Sequence, residues 1–270
     1  NLDILNSGLW GEGLIAIFLI FAISRRFWPA MPSQAGMAPR HKDPELHLAA
    51  ALVIATGLAV WARHFLAAVD IQTAQNWSLS LRALWGAIFT ALSFLTTTGY
   101  ESSQWMQARG WSGLGNPGLV MLGLAMIGGG VATTAGGVKL LRLYALLRHG
   151  ERELARMIHP NSVGGQGQYA RRLREQGSYF AWLFFMLFAL SFAVSTLVLT
   201  LNGQGFEQAL ILTVAALCTT GSLASLAGPD PILYSYLGGD AKMILAVMMV
   251  VGRLETLAIL ALLAPSGWKN

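Results

Sequence analysis

An all-α, polytopic membrane protein is the fold class that this sequence predicts, and three observations predict it. Only 11% of the 270 residues are Asp, Glu, Lys or Arg, where a soluble domain carries about a quarter, and the mean hydropathy is +0.54. The charges sit in short runs, leaving apolar stretches long enough to cross a hydrocarbon layer about 30 Å thick. Two of the stretches end in the same tripeptide, Thr97-Thr98-Gly99 and Thr219-Thr220-Gly221, as expected for repeated helix, re-entrant loop, helix units of the kind found in cation channels.

This composition excludes a soluble enzyme, a disordered tail and a disulfide-built secreted module, because Cys218 is the sole cysteine. The formal charge of +5 does not point to nucleic acid. The basic residues lie between apolar segments, with no DNA- or RNA-reading motif around them.

Taken in order, the first apolar segment runs from Gly13 to Ile23 and stops at Arg25 and Arg26; extended through Leu9, it buries Glu12 near one end. A connection rich in Pro and small residues follows, carrying Arg40 and Lys42. Leu46 to Phe65 reads as a span with Trp61 near its far end, where an indole prefers the interface. Leu84 to Tyr100 is uncharged but closes on Thr96-Thr97-Thr98-Gly99, which suits a short re-entrant helix with a polar tip better than a lipid-facing one.

No charge appears between Arg109 and Lys139, so a further span fits there, although Gly128-Gly129-Gly130-Val131-Ala132-Thr133-Thr134-Ala135-Gly136-Gly137 within it is poor helix material. The arginines from Arg142 to Arg174 then form a basic loop that the positive-inside rule places in the cytoplasm. Ser178 to Leu201 is a span, Phe206 to Leu223 a second short apolar run, and Met243 to Leu263 the last span. The loops near Glu101, Asp230 and Asp240 lack a basic excess and belong outside. This order puts Asn1 outside and the C-terminus with Lys269 inside, and a five-span chain that begins outside without a signal or an initiator Met is expected to be the tail of a longer polypeptide.

Laying Leu84–Ser103 over Phe206–Ser225 at a constant shift matches Ala87 with Ala209, Leu95 with Leu217, Thr97 with Thr219, Thr98 with Thr220, Gly99 with Gly221 and Ser103 with Ser225. Each run follows an outward span and precedes an inward one, so span, dip, span occurs twice in the same orientation. Alternating-access transporters commonly use inverted repeats instead. A monovalent cation entering the bilayer needs its hydration shell replaced by oxygens, which backbone carbonyls at a loop tip supply, and Gly99 and Gly221 suit such a tip. The other reading makes the two tips ordinary turns capping interfacial helices.

These residues resemble the Trk/Ktr/HKT superfamily of potassium and sodium transporters, closest to its bacterial Trk potassium-uptake branch. The resemblance rests on the Thr97–Tyr100 tip, the run from Gly128 to Lys139 followed by Leu140-Leu141-Arg142, the stretch from Gly150-Glu151-Arg152 to His159-Pro160-Asn161, and Gly252-Arg253-Leu254-Glu255. It implies four repeats around one pore, of which this chain holds two. Residues 1–45 are then the last helix of the preceding repeat with a linker, 46–150 the third repeat, 151–177 a cytoplasmic Arg-rich linker and 178–270 the fourth. The missing half belongs to the same polypeptide or to a second copy.

The resemblance implies K+ as the transported ion, with Na+ or mixed transport as the rival, and no organic cofactor. Filter carbonyls fall on Thr97, Thr98, Gly99 and Tyr100, and on Cys218, Thr219, Thr220, Gly221 and Ser222. The fourth loop departs from the family's Asn-rich lead into Gly-Pro-Gly, while a Gly in both loops favours K+. The run Gly128, Gly129, Gly130, Thr133, Thr134, Gly136, Gly137 to Lys139 matches an intramembrane gate loop below the filter; a close helix crossing through small residues is the alternative.

Arg253 and Glu255 lie inside the last span, where a charge costs about 2.5 to 3.5 kcal/mol on insertion scales. Arg253 is expected to face the pore and meet the gate loop, with snorkelling to the cytoplasmic face as the alternative. The resemblance also implies a bacterial inner-membrane location, a homodimer, and a cytoplasmic nucleotide-binding regulatory subunit docking on the inner face. An intramembrane hydrolase fits poorly, since no His falls within the apolar segment that carries Cys218 and Ser222 or within the two spans that flank it. A non-conducting assembly half is the remaining reading.

Overall fold

In the computed structural model, residues 8–23, 43–66, 77–114, 116–130, 133, 135–158, 168–228 and 230–253 are described. They form ten α-helices and a short 3₁₀ turn, with no strand among the described residues. Thr134, Glu255, Lys269, most of the first connection and the end of the last span lie outside the described residues.

The first helix, α1 (Gly8–Phe21), is apolar apart from Glu12. α2 (Pro44–Leu66) has a clear start signal: Asp43 Oδ1 accepts from the Glu45 amide at 3.3 Å, and Pro44 occupies the first helical position, where its missing N–H costs nothing. α3 (Trp77–Leu95) begins seven residues before the expected Leu84 and runs to the first Thr-Thr-Gly tip. Beyond the tip lie α4 (Trp105–Ser112) and α5 (Gly118–Ile127).

The uncharged stretch between Arg109 and Lys139 is therefore not one span. It is a turn, a ten-residue helix and a break, and the chain becomes helical again only at α6 (Leu140–Ile158).

α7 (Gln168–Leu201) is 34 residues long and takes in Arg171, Arg172 and Arg174. The Arg-rich stretch expected as a loop is therefore helical at both ends, because Arg, Leu and Glu are good helix formers whether or not the segment lies in lipid. α8 (Phe206–Leu217) leads to the second tip, α9 (Leu223–Leu226) follows it, and α10 (Gly239–Arg253) returns.

Three helices among the described residues are long and apolar enough to cross a membrane: Pro44–Arg63, Trp77–Leu95 and Tyr179–Leu201. Their burial differs. The Trp77–Leu95 window is 56% buried, the Tyr179–Leu201 window 17%. Along α8 every residue from Ile211 to Leu217 is buried, and α3 is buried almost all round from Gly86 to Leu95. A helix that is apolar on every side and enclosed on every side belongs to an interior. The large apolar side chains left outside, such as Trp10, Phe18, Phe180, Trp182 and Leu190, sit on α1 and α7 and form surfaces that water does not favour.

α8 joins two cores. Ala209, Leu212 and Ala216 pack with Leu199 of α7 and Leu245 and Met248 of α10. Ile211, Val214, Ala215 and Cys218 pack with Phe94, Met121 and Leu124 of the other half. Each set follows three- and four-residue spacing, so each is a stripe on one helix face.

Trp61, near the far end of α2, is tied into the fold. Its Nε1 donates to Ser80 Oγ at 2.9 Å, and its carbonyl accepts from Trp111 Nε1 at 3.2 Å. This ties α2, α3 and α4 together.

Candidate functional site: two repeated tips and the loop against them

The two tips are the same structure. Thr96, Thr97 and Thr98 donate their amides to the carbonyls of Leu92, Phe94 and Ser93, and Cys218, Thr219 and Thr220 donate theirs to Val214, Ala216 and Ala215. Every donor and acceptor in the second set stands 122 residues after its counterpart. Thr97 and Thr219 both have φ of +55°. The pattern is a Schellman helix end, in which the left-handed position is normally Gly. A β-branched residue there is strained by about 1–3 kcal/mol, and the strain recurs at both tips.

Past Thr98 the third loop stays extended against its helix. Gly99 N donates to Ser93 O at 3.4 Å and Tyr100 N to Ser93 Oγ at 2.6 Å. Ser102 N donates to Thr90 Oγ1 at 3.4 Å, and Gln104 lies against Gly86, where a Cβ would stand 2.8 Å from the Gln104 carbonyl oxygen. The chain thus descends along the helix it climbed, which is the geometry of a re-entrant loop. No cis peptide occurs among the described residues, so each C=O points opposite to the following N–H. With the amides of residues 97 to 100 turned toward the end of α3, the carbonyls of Thr96, Thr97, Thr98 and Gly99 face away from it.

The fourth loop departs from this after Thr220. Leu223 N donates to Thr220 O at 3.1 Å and Ala224 N to Gly221 O at 3.3 Å; Tyr234 Oη donates to Gly221 O at 3.0 Å, and Ser225 Oγ to Ser222 O at 2.8 Å. The carbonyls of Thr220, Gly221 and Ser222 are turned into α9, and those of Leu217, Cys218 and Thr219 face away from α8. Gly221 has no positive φ, whereas Gly99 has φ of +77°. The shared tripeptide hides this difference, because the residues after it are helical in the fourth loop and extended in the third.

The tips touch. Thr220 Oγ1 lies 3.3 Å from Thr97 O and 3.2 Å from Cys218 O, shared between the two acceptors. A Cβ on Gly99 would collide with Ser222 Oγ, a buried hydroxyl with no hydrogen-bond partner among the described residues. Both helices aim their C-terminal ends at this point, which concentrates partial negative charge there.

Directly against the tips lies the loop between α5 and α6. It leaves at Gly128 (φ +76°) and rejoins at Gly137 (φ +80°) and Lys139 (φ +78°). Val138 N and Lys139 N donate to Met126 O and Ile127 O at 2.9 and 2.8 Å, which closes its neck. Lys139 Nζ donates to Thr133 O at 3.1 Å, and Thr133 Oγ1 to Gly130 O at 2.6 Å.

Gly129 sits beside Thr96, and Gly130 packs on the carbonyl of Ile23. Gly136 donates its amide to Thr97 Oγ1 at 3.0 Å. A Cβ on Gly136 would stand 2.5 Å from the Cys218 carbonyl oxygen. Thr97 thus has a use for the side chain that its backbone tolerates poorly.

Arg253 lies on the far side of this loop. It lines a cavity of about 330 Å³ with Thr133, Lys139 and Arg142, reached because Gly252 packs on the Leu217 carbonyl. Arg142 also lines it, with its guanidinium 3.6 Å above the Phe184 ring. Arg253 and the glycine-rich run thus line one cavity.

One polar residue received no role from its sequence. Glu12 is fully buried, and its carboxylate accepts from Trp85 Nε1 at 2.8 Å, Ser102 Oγ at 2.8 Å, Ser103 N at 2.6 Å and Ser103 Oγ at 2.7 Å. The cost of a charge within an apolar run, which singled out Arg253, applied equally here. The partners lie 73 to 91 residues away and carry no signal of their own.

A family described as TrkH, cation transport protein, matches residues 46–269. The chain is 32% identical to the Trk system potassium uptake protein TrkH of Escherichia coli K12 over 194 residues, 72% of this chain and 38% of that protein. It is 29% identical to TrkH of Salmonella typhimurium over 262 residues, 95% of this chain and 50% of that protein. The crystal structure of the potassium transporter TrkH from Vibrio parahaemolyticus superposes with a TM-score of 0.72 at 26% identity, covering 96% of this chain and 53% of the other. The chain spans about half or less of the length of these relatives. With two like tips, a loop pressed against them and this likeness along nearly its whole length, the chain belongs to the TrkH family of cation transport proteins.

Proposed function

We propose that this chain supplies the third and fourth loops of a four-loop pore through which K+ enters the cell, and that the loop from Gly128 to Lys139 is its gate. The observation that carries this reading is the bond-for-bond repetition of the two tips, with carbonyls turned away from both helix ends. K+ loses its water to such carbonyls without a large penalty, because each backbone oxygen replaces one water oxygen. In this reading the third loop contributes Thr97, Thr98 and Gly99, and Tyr100 closes the outer end. The fourth contributes Cys218 and Thr219, while Thr220, Gly221 and Ser222 hold its shape.

While the loop is seated against Thr97 and Cys218 it occupies the path below the filter. Lys139, Arg142 and Arg253 line the cavity beside it. Conduction then requires the loop to leave the tips. The remaining repeats of the pore come from the same polypeptide, in a homodimer set in a bacterial inner membrane with its C-terminus in the cytoplasm. The basic inner face, α6 and the start of α7, is the docking side for a nucleotide-binding regulatory subunit.

The test is growth rescue of potassium-uptake-deficient cells at low K+ by the longest reading frame containing this segment, beside a Gly99→Arg control whose side chain has no room at Ser222. Rescue that the control abolishes supports the reading. With the protein shown to be in the membrane, absent rescue together with Na+ uptake assigns the filter to Na+, and absence of both fluxes supports a non-conducting half.

A further inference from the structure

We infer that Glu12 is a positioning residue of the third filter loop, acting from the neighbouring helix α1 as a four-donor clamp that fixes the chain just after the filter. This role rests on the pore reading and adds to it a determinant of selectivity outside the filter. The return segment from Tyr100 to Gln104 is held to α3 on one side through Ser93 and Thr90. On its other side the only ionisable group touching Ser102 and Ser103 among the described hydrogen bonds is the Glu12 carboxylate. The same carboxylate holds Trp85 of α3. It therefore fixes the distance between the climbing helix and the descending chain, and Gly99 lies three residues from the clamp. On the repeat reading, α1 belongs to the preceding unit, so one repeat sets the filter geometry of the next.

The chemistry requires a carboxylate and not merely a polar group. Oε2 faces the indole N–H of Trp85 and Oε1 faces the amide N–H of Ser103. Neither donor can become an acceptor. A carboxamide in either orientation would set its own NH₂ against one of them, although its size is unchanged. A buried charge is tolerated only when donors replace its water, and four do so here.

The experiment uses the full-length protein in proteoliposomes and reads K+ against Na+ flux for wild type, Glu12→Gln, Trp85→Phe and Ser103→Ala. Glu12→Gln is expected to lower the K+ to Na+ flux ratio by about tenfold, the loss of one or two charge-assisted bonds. Trp85→Phe and Ser103→Ala each remove one indole or hydroxyl donor, keep the charge and should fold even if Glu12→Gln does not. They are expected to lower the ratio severalfold. A selective wild type whose variants keep the same ratio, whatever their total flux, overturns the positioning role alone. A wild type that passes no cation overturns the pore reading, and the positioning role with it.

Discussion

Replacing Gly136 with Ala tests the proposed gate at its contact with the second tip. The added Cβ would stand 2.5 Å from the Cys218 carbonyl oxygen and 2.6 Å from its carbonyl carbon and Cα, all backbone atoms that cannot rotate away. Ordinary contact begins at 3.4 Å, so the two surfaces must part by 3.4 − 2.5 = 0.9 Å. The fourth tip is held by three amide bonds to the end of α8, at 2.9, 3.0 and 2.8 Å. Gly136 is held there by one, its 3.0 Å bond to Thr97 Oγ1. The loop should yield.

A displacement of that size breaks the bond to Thr97. Overpacking costs about 1–3 kcal/mol and the lost hydrogen bond about 0.5–1.5 kcal/mol. Together they amount to about 1.5–4.5 kcal/mol against the seated loop, a shift of roughly tenfold or more in the ratio of seated to open forms. Rb+ influx into proteoliposomes holding the full-length protein, at matched incorporation, should therefore rise. The proposed preference for K+ over Na+ should stay, because the amides of Thr97 to Tyr100 remain bound to α3. Unchanged or reduced influx from a well-folded variant would refute the gating role of the contact. A rise accompanied by lost selectivity would mean that the filter had moved and the loop had not.

Thr97→Val keeps the side-chain shape but leaves the Gly136 N–H without its acceptor, a loss of about 1–3 kcal/mol. It should raise Rb+ influx as Gly136→Ala does, and the double variant should fall short of the sum because both act on one contact. Cys218 is fully buried at the second tip, so maleimide should label it in the denatured protein and not in the folded one; ready labelling of the folded protein would contradict the packing. Glu101 stands two residues beyond Gly99, and burial raises its pKa above the usual carboxylate value, because desolvation disfavours the charged form. In the proposed pore its negative charge stands at the outer mouth, and it is lost on acidification at a higher pH than for an exposed carboxylate. K+ influx should fall through that range, and Glu101→Gln should flatten the profile at the low value.

Much of the arrangement was legible in single segments. Low charge and uninterrupted apolar runs dictate membrane helices, since a backbone in lipid must satisfy its own hydrogen bonds. The Thr-Thr-Gly ends and the glycine-rich run announce where those helices stop. These signals are local, each contained within about twenty residues, and the structure has breaks where they occur. Helix starts were less legible: Trp77 and Gln168 precede the expected positions because polar residues continue a helix as readily as apolar ones begin a span.

What the sequence by itself determined is the class of fold, the two dips and the interruption at Gly128. Only the tertiary structure decided that Thr97 accepts left-handed strain in order to hold Gly136. It alone decided that Gly221 and Ser222 turn into a helix although their tripeptide repeats Thr97–Gly99, and that Glu12 clamps a loop about ninety residues away in the chain. The physical reason is the same in each case. Apolarity and backbone preference are properties of neighbours in the chain, whereas a buried polar group is defined by donors and acceptors that only folding brings within about 3 Å.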